Sequence, residues 1–250
     1  MVKITATYYI YNAVDYDYPI VQSIRALRPM VDEIVVLDCG SKDSTKELVS
    51  KEDVLLFDAP EWKVDRGEVN DRDWFYQKIA REKSKADWYI RMDSDEIIVE
   101  SYTGALRDAI EKANISPCVN HVGCNRLNFY LSPDTYIKLR HKTPPCGTYQ
   151  YRVCRAGTKA WGDSLNYDFV KDGMDAPGFY INHYGYLREP KAFIKKAKEY
   201  ELLSYGKTAI TDSFKPTDLY TLEDMEYYLT VHPEEIQTWL KERFGNERHG

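Results

Sequence analysis

The chain has 250 residues, 43% hydrophobic and 30% charged, with 34 Lys and Arg against 40 Asp and Glu for a net charge of −6. That length buries a full core without a disulfide or metal staple, and the apolar content excludes wholesale disorder. The acidic balance argues against nucleic acid as a general partner.

Lys3 to Ile10 is β-branched and aromatic and reads as a strand. Pro19 suits the first turn of a helix, on which Ile20, Val21, Ile24 and Leu27 form an apolar stripe. Glu33 to Asp38 (EIVVLD) is the short apolar run of a buried parallel strand. Ser44-Thr45-Lys46-Glu47 has the pattern of a capping box opening a short helix. Asp53 to Asp58 reads as a third strand. Asn70 or Asp71 caps a helix with Trp74 and Ile79 on its apolar face, and Asp87 to Met92 is a fourth strand ending in Asp93. This alternation implies an α/β fold with a mostly parallel central sheet and helices on both faces. Beyond it, Tyr102 to Asn114 reads as a helix, and residues 118–155 as longer strands turning at Ser132-Pro133-Asp134 and Pro144-Pro145. Residues 156–177 read as a loop from their Gly and Asp content. Phe179 to His183 is a short strand, Glu189 to Tyr205 a basic amphipathic helix, and residues 221–244 two more helices split at His232-Pro233.

Five cysteines with no Cys-x-x-Cys pair suit a reducing compartment. No signal peptide follows Met1, and no apolar run approaches the ~20 residues of a transmembrane segment. The expectation is a cytoplasmic protein.

Chemistry concentrates in two places. Asp93-Ser94-Asp95-Glu96 follows the fourth strand, at the carboxyl edge where open α/β sheets bind ligands. In extended backbone residues i and i+2 project to one side, so Asp93 and Asp95 would present two carboxylates to one place. Such a pair repels unless a cation sits between, and Mn²⁺ or Mg²⁺ suits oxygen ligands shared with phosphates. Removing one carboxylate should then relieve repulsion and leave stability unchanged or slightly higher. A calcium loop is excluded, because Ile97 and Ile98 stand where a ligand and a glycine belong. The second place is Val35 to Thr45. Its Gly40 and helix start favour anions, and Asp38 at the strand end is an acceptor for a base or ribose. A well-made turn explains Gly40, Ser44 and Glu47 but not Asp38. Cys118-x2-His121-x2-Cys124 has a zinc-like spacing, yet strand alternation turns His121 away from both cysteines. Lys191, Lys195, Lys196 and Lys198 read as a solvated helix face.

Together these stretches resemble the family 2 glycosyltransferases of the GT-A fold. Residues 33–48 resemble its DEIVVxDxGSxDxT segment, residues 87–96 its DWxxxxDxDE segment, and Tyr11-Asn12 the pair closing its first strand. Trp62 and the following helix fall where the family has a Trp and then Arg-Asn. His183-Tyr184-Gly185, Arg188-Glu189-Pro190, Lys198 and Tyr200 resemble the tail of bacterial lipopolysaccharide-type members. The resemblance covers about residues 3–205.

It implies a GT-A domain over residues 1–205, with a nucleotide-binding half (1–100), an acceptor and catalytic half (101–188), and a helical C-terminal extension (206–250). The implied activity is inverting transfer of a sugar from a nucleotide-diphosphate donor to an acceptor hydroxyl, assisted by Mn²⁺ or Mg²⁺. The acceptor stays open among a lipid-linked sugar, a polysaccharide, a protein and a small molecule. Carried over, Tyr9, Tyr11, Asn12 and Asp38 hold base and ribose, Asp93 contacts ribose or metal, and Asp95 ligates the metal. The family's Arg-Asn falls near Gln77-Lys78, which leaves Arg66 or Arg72 for that donor contact. No His-Glu pair supplies the general base, so Asp163 is favoured and Asp168 comes second. His183 either completes the metal site or packs among Tyr180, Tyr184 and Tyr186. Rival readings are a non-catalytic carbohydrate- or nucleotide-binding protein on this fold, a nucleotidyltransferase and a phosphohydrolase. Residues 11–18 lack the glycines of a nucleotidyltransferase loop, and Glu96 stands where a phosphatase of the haloacid-dehalogenase type has Thr or Val.

Overall fold

The first strand, β1 (Ile4–Ile10), is buried at every position but Tyr9, which places it inside the sheet. In this computed structural model the described residues are 1–60, 69–101, 103–137, 149–158, 172–215 and 224–245. β2 (Glu33–Asp38) and β4 (Trp88–Arg91) flank β1 in parallel, and β3 (Leu55–Asp58) pairs in parallel outside β2. Successive side chains alternate faces. Ile34 and Val36 join Ile4, Ala6, Tyr8 and Ile10 under α1 (Ile20–Leu27) and α4 (Ala105–Asn114), whereas Val35 and Leu37 meet Ala80 of α3 (Val69–Glu82) on the other face. The parallel half with helices on both faces is thus built as the strand and helix periods dictate.

From β4 the sheet continues through antiparallel strands. β8 (Tyr149–Arg155) pairs with β4, and β6 (His121–Tyr130) pairs with β8. β7 (Ser132–Ile137) and β10 (Met225–Tyr227) extend it to one edge. β9 (Gly173–His183) runs parallel to β6 and antiparallel to β5 (Glu96–Glu100), which follows β4 after a tight turn. α5 (Pro190–Tyr205) follows β9. The last helix, α6 (Glu234–Phe244), buries Ile236, Trp239 and Leu240 against Ala26, Ile97, Phe129, Tyr184 and Leu187. Each such side chain contributes about 1.5–3 kcal/mol by leaving water. α6 therefore shares the sheet's own core.

Several local expectations are corrected. α2 (Thr45–Val49) is not closed by a Ser44–Glu47 box. Asp43 takes its place, accepting from Thr45 N at 2.9 Å and from Asp15 N at 2.8 Å, so one carboxylate holds the helix start to the loop after β1. Ser132-Pro133-Asp134 is strand, and the chain turns at Leu131, with φ 67°. Residues 173–177 belong to β9 despite their loop-like composition. Strand pairing overrides propensity there, and Gly173 lets the backbone pass where a Cβ would run into the Tyr151 ring. Residues 225–227 form an edge strand on β7 where a helix was expected, so the described part of the C-terminal extension is mixed. Pro144-Pro145 lies outside the described residues. Among the described residues no helix is long and apolar enough to cross a membrane.

Candidate functional site

β4 ends at Arg91, and residues 93–95 form a turn into β5. The turn removes the extended geometry on which a shared Asp93–Asp95 site depends, and the two carboxylates take different partners. Both oxygens of Asp93 accept from arginines, Arg91 at 3.1 Å and Arg152 at 2.9 Å. Glu96 is fully buried and accepts from Arg126 at 3.1 Å and from Arg152, while its other oxygen accepts from Asp93 N at 3.1 Å and closes the turn. Burial pushes the Glu96 carboxyl up, but Arg152 and Arg126 outweigh it and hold the group below the usual carboxylate range.

Asp95 faces elsewhere. The antiparallel register Glu96↔His183 brings the end of β9 beside the turn, and Tyr184 N donates to Asp95 O at 2.9 Å. Asp95 Oδ2 then lies 3.5 Å from His183 Nε2. Burial alone would raise the Asp95 carboxyl, but His183, Arg188 and Lys196 reverse that and hold it well below the usual range. Gly185 lies against the pair: a Cβ there would sit 2.6 Å from Asp95 Oδ2 and 2.7 Å from His183 Nε2. Its missing side chain keeps open the space toward which the two donor atoms point. Arg188 donates to Gly185 O at 2.6 Å and to Tyr16 O at 3.2 Å, and its guanidinium lies over the Tyr18 and Phe193 rings. The segment after β9 is thereby fixed to the loop after β1.

The nucleotide-side candidates gather at the carboxyl ends of β1 and β2. Asp38 is buried and accepts from Ser41 N at 3.2 Å, so it closes its own turn, a role the sequence did not suggest. Asn12, with φ 47°, accepts from Lys42 N at 2.8 Å on its side-chain oxygen and donates its backbone N–H to Ser41 Oγ at 2.9 Å; it ties the two strand ends together. Tyr9 stacks on Tyr76 at 5.8 Å, and its hydroxyl accepts from Arg91 at 2.8 Å, which links this side to Asp93. Tyr11 lies half-buried with its ring 6.2 Å from Tyr16. Arg72 falls on α3, its side chain outside the described part, and Trp62, Arg66, Asp163 and Asp168 lie outside the described residues. Asp172 accepts from His121 Nδ1 at 2.7 Å and Asn120 Nδ2 at 2.8 Å, which gives His121 a carboxylate partner within the sheet.

Sequence reasoning missed Arg91, Arg126 and Arg152. Their signal was present: each is a cation inside a predicted strand, and a buried strand carries a charge only against a counter-charge.

Among the described residues Asp95 and His183 converge at the carboxyl edge as a carboxylate–imidazole pair, and no cluster of three or more His, Cys, Asp or Glu forms. One carboxylate and one imidazole fit a Mn²⁺-type ion that draws its other ligands from phosphates and water.

No family model and no curated protein sequence matches the chain. Among solved structures, glucosyl-3-phosphoglycerate synthase from Mycobacterium tuberculosis, in complex with Mn²⁺, uridine diphosphate and glucosyl-3-phosphoglycerate, is 20% identical over 52% of this chain and 44% of its own, with a TM-score of 0.35. A mannosyltransferase from Pyrobaculum calidifontis, in complex with GDP-mannose and Mn²⁺, is 20% identical over 50% of this chain and 36% of its own, at 0.38. TarS from S. aureus is 14% identical over 80% of this chain and 65% of its own, at 0.45. The chain spans less than two thirds of the length of each.

Proposed function

We propose that the chain is a GT-A glycosyltransferase of the family 2 kind, moving a sugar with inversion from a nucleotide-diphosphate donor to an acceptor hydroxyl. The observation that carries this reading is the convergence of Asp95 and His183 over Gly185, at the carboxyl edge of a parallel sheet. That edge is where such sheets take nucleotides. Asp95 and His183 hold the divalent cation, Mn²⁺ or Mg²⁺. When bound, it neutralises charge on the leaving diphosphate, a contribution of several kcal/mol.

The chain's own groups do the rest. Arg188 and Lys196 hold the Asp95 carboxylate ionised. Tyr11 and Asp38 receive the nucleoside, while Asn12 braces the turn that presents them. Arg91 and Arg152 fix Asp93 beside the donor, and Arg72 is assigned the donor contact that the resemblance calls for. Asp163, with Asp168 as second choice, takes the acceptor's proton, as inverting transfer requires of one carboxylate.

The test is Mn²⁺-dependent hydrolysis of a panel of nucleotide-sugars by wild type, Asp95→Asn and His183→Ala. The expected result is slow hydrolysis of one donor by wild type, lost in Asp95→Asn, with a higher Mn²⁺ midpoint in His183→Ala. Hydrolysis of none of the donors, together with no donor-induced rise in melting temperature, would favour a non-catalytic protein. A bound ligand at 100 times its dissociation constant adds ~2.7 kcal/mol, so that rise is measurable.

A further inference from the structure

β5, β9 and β6 lie side by side, with Glu96 opposite His183 and His183 opposite Asn128. Residues paired in register share a face, so Glu96, His183 and Asn128 form a row across three strands. Two members of that row carry unmet hydrogen-bonding groups. His183 Nδ1 is buried with no partner, and both Nδ2 and Oδ1 of Asn128 are buried with none, in a side chain only 2% exposed. Buried polar groups in native proteins are almost always paired. These atoms are sealed from solvent, so a sugar or phosphate does not reach them without opening the sheet. A neighbour is the available partner; of the two in register, Glu96 already accepts from Arg126, Arg152 and Asp93 N, which leaves Asn128.

We propose that the Asn128 amide, which does not bond His183 Nδ1 as placed in this structure, turns to become its hydrogen-bond partner and so a positioning residue for the Asp95–His183 pair. A nitrogen facing a cation must present its lone pair, which places the imidazole proton on Nδ1 and calls for an acceptor there. Asn128 Oδ1 is that acceptor. When Nε2 instead carries the proton toward Asp95, Nδ1 is bare, and the amide turned over offers Nδ2 as a donor. An amide provides both in one side chain. Tyr186 stands edge-on to the imidazole at 5.6 Å. The pairing itself stands on register and burial; its consequence for metal affinity rests on the metal reading above.

Two measurements keep these separate. In metal-free protein labelled with ¹⁵N-histidine, the His183 Nδ1 resonance, identified by its loss in His183→Ala, should move in Asn128→Leu. An unmoved resonance overturns the pairing. In the donor-free chain, calorimetric Mn²⁺ affinity should fall about 10–100-fold in Asn128→Leu, the usual cost of losing an outer partner of a metal-binding histidine. Asn128→Asp, which keeps an acceptor, should stay within a few-fold of wild type. Unchanged affinity in Asn128→Leu overturns the positioning role. A resonance that moves in a chain that binds no Mn²⁺ overturns the metal reading and supports the pairing. Asn128→Ala gives the same readouts where leucine is not tolerated.

Discussion

Gly185→Ala is the sharpest perturbation of the proposed site, because it adds one methyl group at the point where two donor atoms meet. The added Cβ would stand 2.6 Å from Asp95 Oδ2, 2.7 Å from His183 Nε2 and 2.8 Å from His183 Cε1. Ordinary contact begins near 3.4 Å, so these atoms must retreat by 0.8, 0.7 and 0.6 Å (3.4 minus each distance). Neither side chain has free room. Asp95 is only 8% exposed and its carbonyl is held by Tyr184 N, while His183 is fixed in register between Glu96 and Asn128. Overpacking of this kind costs about 1–3 kcal/mol, and at roughly 2–4 °C per kcal/mol for a chain of this size the melting temperature falls measurably. Displacing catalytic groups by close to 1 Å costs about 10²-fold in rate.

Gly185 does not have a positive φ, so the effect is steric. Gly157 supplies the opposite control: its φ is 83° and a Cβ there meets nothing within 4 Å. Gly157→Ala should lower stability through the backbone and leave donor hydrolysis alone. The assay is thermal unfolding beside Mn²⁺-dependent donor hydrolysis for both variants. Wild-type Mn²⁺ midpoint and rate in Gly185→Ala would refute the claim that the space over Gly185 is where the two donors act.

Three further outcomes are expected. Glu96→Gln leaves Arg126 without its buried counter-charge and Arg152 with Asp93 alone, so urea unfolding should show a loss of about 3–5 kcal/mol. Asp163→Asn should lower turnover about 10²–10⁴-fold with donor affinity nearly unchanged; if Asp168→Asn alone shows that kinetic profile, the base is Asp168, and if neither does the acidic-loop assignment fails. Burial pushes the His232 imidazole down from its usual value, against the opposing pull of the Pro133 carbonyl and Asp134, and its Nδ1 meets Tyr184 Oη at 2.8 Å. The unfolded chain therefore binds a proton more readily than the folded one, and stability is full above the unfolded value near 6.5 and falls as pH drops below it; melting curves from pH 7.5 to 5 should show a decline that His232→Asn flattens.

The parallel half was legible because its signals are local. EIVVLD and DWYIRM are short apolar runs, and their alternation with helical stripes leaves one arrangement. What was not legible depended on partners distant in sequence. Residues 173–177 carry a loop's composition and become strand because β6 offers an edge. Met225 to Tyr227 reads as helix until β7 pairs with it. In the site, Asp95 and the segment at His183 stood out as motifs, but the sequence could not show that the turn at 93–95 splits the carboxylates. Nor could it show that arginines from β4, β6 and β8 converge on Asp93 and Glu96. Asp38 was read as an open acceptor because turn closure by its carboxylate shows only in the folded loop.

The split changes what the acidic cluster asks of a cation. Two adjacent carboxylates without counter-charge would need an ion merely to coexist, and removing either would relieve strain. Here Asp93 and Glu96 are already neutralised by Arg91, Arg126 and Arg152. Burial opposes the Asp95 charge, but His183, Arg188 and Lys196 outweigh it. The expectation that Asp95→Asn leaves stability unchanged or raises it is therefore reversed: a favoured charge is lost, and His183, Arg188 and Lys196 keep less to balance them. The fold holds its acids without an ion. In the proposed reading, the cation's demand comes from the donor's phosphates, and metal affinity should rise when donor is present, because donor oxygens supply the ligands that two side chains cannot.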